Sequence, residues 1–303
     1  MSSVLWWIFD ALVILTAVYV IYSNGKRGFT KVLILCIGYI LTTLLASVVA
    51  GVAAPVLYES IARDNNIAGF ESVDHHLDFV KVFTKAMEEK KYGIHIDQSR
   101  VREYLTGEDR GEFDSNLYHY ANLLSGTPVS SKAEFQKTML DAFVAAYGYA
   151  LNDRLPRYVQ MNMRFLVEED PQLMRDTISD FYNPKLTAHQ KAEAAEERFA
   201  RKPTAEVLQI FVYFIVFSVI MIIVAIFSAL LQRRIFFNIR EGTDHAVGAI
   251  FGLLEAGAMI IVLTLLVRLI ILLSGGQYRL FSPATIEKTK VFSFFYHNIS
   301  RLL

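Results

Sequence analysis

A single cysteine, Cys36, among 303 residues excludes a disulfide within the chain and any metal site built from paired cysteines. Charge is scarce: only 20% of residues are charged, and 30 Lys/Arg face 30 Asp/Glu. Without a basic surplus, no nucleic acid is expected as a partner. Three common catalytic signatures are missing: a Gly-x-Ser-x-Gly elbow, a His-Glu-x-x-His pair and a glycine-rich phosphate loop. These absences lead to the expectation of no enzyme, no catalytic residues, no cofactor and no metal. A hydrophobic content of 53% also argues against a disordered chain.

What is present is unevenly placed. Outside residues 57–205 there are only 11 Lys/Arg and 6 Asp/Glu. A bilayer core about 30 Å thick takes roughly 20 apolar residues as a helix. Four runs meet that length: residues 5–22, 32–56, 207–231 and 246–273. The fold class follows as all-α, a four-helix polytopic membrane protein with an inserted soluble all-α domain. No Lys or Arg precedes the first run and no small-x-small cleavage pattern follows it before Lys26, so it reads as a retained anchor and not a signal.

Positive residues in short loops stay on the cytoplasmic side. The link 23–31 carries Lys26, Arg27 and Lys31, and the link 232–245 carries Arg233, Arg234 and Arg240. Both are assigned inside. The two termini and residues 57–205 then lie outside the cell (inner) membrane, although Arg279, Lys288, Lys290 and Arg301 in the last tail run against the rule.

Three charges fall within the spans, where each needs water or a partner. Asp10 and Arg268 lie at matching depths near the outer ends of spans one and four, which suggests a contact between them, the alternative being that both snorkel to the headgroups. Glu255 lies near the midplane. Thirteen residues at 100° put it on nearly the opposite helix face from Arg268, so it is either protonated and hydrogen-bonded between helices or it lines a hydrated path with Thr42 and Thr43 at similar depth. Small residues recur every fourth position at Gly38, Thr42, Ala46, Ala50 and Ala54, and again at Gly248, Gly252 and Ala256. Such rows let helices approach closely, within one chain or in a homo-oligomer.

Two stretches resemble the colicin V production protein family (CvpA). One is Trp7, Asp10, then Gly25, Lys26, Arg27, Gly28 and Phe29; the other is Asp244 followed by Gly248, Phe251, Gly252 and Gly257. The chain departs from the family pattern at His245, where an arginine is common, and at Glu255, where a basic residue is frequent. The resemblance implies a bacterial inner-membrane protein of about four spans, associated with toxin production or export and with envelope maintenance. It implies no enzymatic activity and says nothing of residues 57–205.

That central block carries 19 Lys/Arg against 24 Asp/Glu and is long enough for its own core. Phe135, Met139, Phe143, Tyr147 and Leu151 recur at helical spacing behind a capping pattern from Ser131 to Glu134. Further helices are expected over 73–91, 98–105, 154–168, 171–181 and 187–198, with a turn at Gly126, Thr127 and Pro128. Its histidines, His75 and His76 beside Asp74 and Asp78, and His95 near Asp97, have no recognised metal spacing and read as surface or capping groups. In the tail, Phe292, Phe295, Tyr296 and Ile299 share a helical face, with Lys288, Lys290 and Arg301 beside them. This fits a helix lying on the outer membrane surface or packed on the central block. The expected partners are the lipid bilayer and an extracytoplasmic protein or envelope component.

Overall fold

The computed structural model describes residues 4–27, 29–73, 77–90, 92, 94–152, 154–231 and 241–299. Among them there is no β-strand. In chain order, α1 (Trp7–Arg27) and α2 (Phe29–Leu57) lead through a π-turn at Tyr58–Ala62 to α3 (Arg63–Glu71), α4 (Phe79–Glu89) and α5 (Gln98–Thr106). A 3-10 turn at Arg110–Glu112 precedes α6 (Phe113–Ser125), α7 (Lys132–Ala150), α8 (Arg157–Glu169), α9 (Gln172–Phe181) and α10 (Ala188–Phe199). Then come α11 (Arg201–Leu231), α12 (Glu241–Ser274) and the short α13 (Pro283–Ile286) and α14 (Val291–Asn298). The chain divides into two compact units, Met1–Tyr58 with Ala205–Leu303, and Glu59–Thr204.

In the first unit, α1, α2, α11 and α12 are long and apolar enough to cross a membrane. A helix is the form that satisfies every backbone group internally in hydrocarbon, which is why runs this rich in Val and Ile are helical here. Pro55 donates no N–H in the last turn of α2, and the backbone widens into the π-turn three residues later. α12 packs on both α1 and α2, most extensively on α1. Thr42, Ala46, Ala50 and Ala256 are buried within this single chain, as are Gly38 and Gly248. A Cβ at Gly38 would come within 2.3 Å of Val224 Cγ1 on α11, so only glycine admits that approach. The outer face of α11 exposes Phe211, Ile215, Val219, Ile222, Ile226 and Phe227, a surface suited to lipid.

The second unit is built on rings. Phe79, Phe83, Phe113, Phe135, Phe143 and Phe199 are all fully buried, and Phe79 lies 5.6 Å from Phe143 and 5.0 Å from Phe181 between ring centroids. Each fully buried aromatic contributes about 1.5–3 kcal/mol through apolar burial. Helix starts are set by side chains: Asp78 caps α4, Asp97 caps α5, Ser131 caps α7, and Thr187 with Gln190 forms a full capping box on α10. Asp78 explains why α4 begins at Phe79 and not near residue 73. α8 starts at Arg157 because Pro156 holds the preceding backbone extended. The helices α3 and α6 are not anticipated by the sequence pattern. Gly126, at φ 71°, ends α6 in the left-handed conformation that glycine adopts without strain.

Candidate functional site

The polar residues of the spanning helices gather in two clusters at opposite ends of the first unit. At one end the two stretches singled out in the sequence meet. α1 passes so close to α12 that a Cβ on Gly252 would lie 3.0 Å from Asn24 Cβ and 3.1 Å from Ile21 Cα. Glycine is therefore required by the approach itself. The bare backbone at 252 lets Asn24 reach Glu255, donating from Nδ2 to Oε2 at 2.7 Å, with both side chains buried. About two turns before Gly252 on α12, His245 Nδ1 lies 2.6 Å from the carbonyl of Gly25. Asp244 Oδ1 accepts the N–H of Phe29 at 2.8 Å. That N–H opens α2 and would otherwise be an orphan of the helix start. The rings of Phe29 and Phe251 close the cluster at 5.4 Å. Arg27 is exposed at the end of α1, and Gly28 lies outside the described residues.

At the other end the expected contact between Asp10 and Arg268 is not made. Asp10 accepts three backbone N–H groups, from Lys290 at 2.9 Å, Val291 at 2.9 Å and Phe292 at 2.8 Å. It caps α14 from a helix 280 residues away in sequence. The reason is electrostatic: the start of a helix presents unpaired N–H groups and a positive dipole end, and these satisfy the Asp10 carboxylate without burying a second ion beside it, as a guanidinium partner would require. Arg268 instead pairs through Nε with Glu206 in α11 and lies 5.6 Å from the ring of Tyr296. Phe9 seats α14 further, with its ring 5.1 Å from Phe292 and 5.7 Å from Phe281.

Within the first unit, α14 packs on α1 and α12. It runs back along α12, from the Phe9, Ile271 and Phe292 core, past Arg268 at Tyr296, to a small cavity where Ile299 meets Thr43, Ser47, Tyr213, Ile261 and Leu265. The cavity holds about 10 Å³, the room of one water. It separates Thr43 from Glu255 too. Ile261 and Leu265 are six and ten residues beyond Glu255 along α12, roughly 9–15 Å, so the two do not share a level. Arg233, Arg234, Arg240 and Arg301 lie outside the described residues.

The family model described as "Colicin V production protein" matches residues 184–299. Over this stretch the chain is similar to the colicin V production family. No curated protein and no solved structure matches the chain. The family match covers α11 to α14, including Asp244, Gly248, Phe251, Gly252, Glu255, Gly257 and Arg268, and reaches back through α10. It stops short of the N-terminal stretch from Trp7 to Phe29. What ties that stretch to the family segment is contact: Asp10 to α14, Asn24 to Glu255, Gly25 to His245 and Phe29 to Asp244.

In the second unit, the acids beside the candidate histidines serve as helix caps. Asp78 accepts from Val80 and Lys81, and Asp97 from Ser99. Asp74, His75 and His76 lie outside the described residues, among which no three His, Cys, Asp or Glu side chains converge on one point. Sequence reasoning missed Asn24 and Glu206. Asn24 sits in the polar Ser23-Asn24-Gly25 triplet that reads as a loop, and Glu206 at the edge of an apolar run; their depth in the helices was the only available signal.

Proposed function

We propose that the protein is a non-enzymatic scaffold of the bacterial inner membrane, of the colicin V production type, serving toxin production or export or envelope maintenance. Its four spans carry residues 57–205 on the extracytoplasmic side, where that helical block binds a protein or envelope component. One observation carries this reading: every intramembrane charge is engaged in holding helices together. Asp10 binds the start of α14, Glu255 binds Asn24, and Arg268 binds Glu206. Such use of charge supports assembly, because a conducting path needs polar groups left free for the permeant species. The basic links at Lys26, Arg27 and Lys31 support the orientation.

The competing reading, an oligomeric channel or transporter with Glu255 on its path, makes opposite predictions. Purified protein in liposomes is expected to show no ion or proton flux, and photo-crosslinkers placed in residues 57–205 in intact cells are expected to capture a defined partner. Flux that disappears in Glu255→Leu would establish the channel instead. Protease added to sealed, right-side-out spheroplasts is expected to cut residues 57–205 and to spare the links at Lys26 and Arg240.

A further inference from the structure

One face of α1 has the polarity profile of a phospholipid. The buried residues of this helix are Phe9, Val13, Val20 and Asn24, on the side that packs on α12. At 100° per residue, Leu12, Leu15, Tyr19, Tyr22 and Lys26 form a separate stripe, centred roughly 130° round from the buried one. All five are exposed, Leu15 to 65%, Tyr19 to 70% and Tyr22 to 61%. Tyr22, Tyr19 and Leu15 lie roughly 6, 10 and 16 Å along the helix from Lys26. A cation at the helix end, phenols in the interfacial layer and aliphatic groups deeper match in turn the phosphate, the glycerol region and the acyl chain of one lipid.

Tyr22 also holds the cation in place. Lys26 Nζ stands 4.4 Å from the centre of its ring, which restrains a side chain that would otherwise lose rotamer freedom on binding. Lys26 has no acidic partner among the described residues. Arg27 falls on the α12 side of the helix and takes no part. The charge around this end is one-sided. The links 23–31 and 232–240 carry six Lys/Arg and no acid, and of the two acids that follow, Glu241 and Asp244, the second already accepts the N–H of Phe29. A zwitterionic headgroup gains little from such a surplus, whereas an anionic one gains from each cation within a Debye length.

We propose that this stripe binds an anionic phospholipid: the phosphate engages Lys26, the glycerol region rests on Tyr22 and Tyr19, and an acyl chain lies along Leu15 and Leu12. The site depends on α1 crossing the bilayer and not on what residues 57–205 bind, so it stands or falls separately from the scaffold reading.

The test uses the full chain reconstituted in vesicles of phosphatidylcholine and phosphatidylglycerol. Trp6→Phe and Trp7→Phe remove both native indoles, and Leu15→Trp places a fluorescent reporter beside the acyl chain. Quenching by phosphatidylglycerol brominated in its chains is compared with quenching by phosphatidylcholine brominated in the same way. The anionic lipid is expected to occupy the site about fivefold more tightly than the zwitterionic one. Lys26→Gln should bring that ratio close to one, and Lys26→Arg should preserve it. Lys26 is exposed, so both variants should keep the thermal midpoint of the parent. A ratio near one in the parent, or a ratio unchanged in Lys26→Gln, overturns the site.

Discussion

Replacing Asp10 with alanine tests the most specific contact in the first unit. The substitution removes the acceptor of three N–H groups and a negative charge at the start of α14. Loss of a helix cap costs about 0.5–2 kcal/mol, and loss of the favourable charge at a partly buried helix start about 1–2 kcal/mol more. The sum is roughly 2–4 kcal/mol. An eight-residue helix has no stability of its own, so this loss acts directly on whether α14 stays docked through Phe292 and Ile299. Undocking should rise by roughly 30- to 1,000-fold. Hydrogen–deuterium exchange in nanodiscs reads it out: the amides of residues 290–299 should exchange faster by that factor in Asp10→Ala, and by less in Asp10→Asn, which keeps one acceptor oxygen. The charge swap of Asp10→Arg with Arg268→Asp should give no recovery. Unchanged protection in Asp10→Ala, or recovery in the swap, would refute the capping account.

Gly252→Ala should destabilise the first unit by about 1–3 kcal/mol, since the new methyl would sit 3.1 Å from the Ile21 backbone, whereas Gly25→Ala, 3.7 Å from its nearest neighbours, should be close to neutral; thermal unfolding in detergent compares them. Asn24→Leu should cost about 1–3 kcal/mol by leaving Glu255 without its donor, and adding Glu255→Leu should restore much of the loss, a cycle that equal single and double effects would contradict. In the second unit Glu196 is buried, and its carboxyl is pushed up to about 7 by desolvation first, then by Glu197, against the pull of Arg201. The folded state thus holds a proton that the unfolded chain releases near 4.5. Stability should fall as pH rises from about 4.5 to about 7 and level off above, by about 3 kcal/mol in total. Glu196→Gln should remove that slope, and an unchanged slope would place the titration elsewhere.

How much of this was legible in advance depends on what kind of group each feature uses. The four spans were readable because lipid imposes a length and a composition that nothing else in a chain imitates. The long helix α7 was readable from Phe135 to Leu151, whose apolar period and Ser131 cap agree. α6 escaped although Phe113, Leu117, Tyr120 and Ala121 follow the helical period, because it starts without a side-chain cap after a charged turn. α3 escaped for a different reason. Its Asn65, Asn66 and Gly69 are poor helix formers, and it is helical because Ile67 and Phe70 are buried in the core and α10 packs along it.

The charges within the spans mark the limit most sharply. Their cost in hydrocarbon can be read from a sequence, and it says that a partner exists. The partner can be guessed only if it advertises itself by opposite charge, which is how Asp10 came to be matched with Arg268. Two of the three actual partners are neutral: an amide on Asn24, and backbone N–H groups on residues 290–292 that any sequence but proline would supply. The third, Glu206, is charged but belongs to the first turns of α11, beyond the apolar window that defined the span. An intramembrane acid near the end of a span is therefore better matched against every helix start that can reach it than against the nearest basic residue, since three N–H donors at one helix end satisfy a carboxylate without burying a second ion.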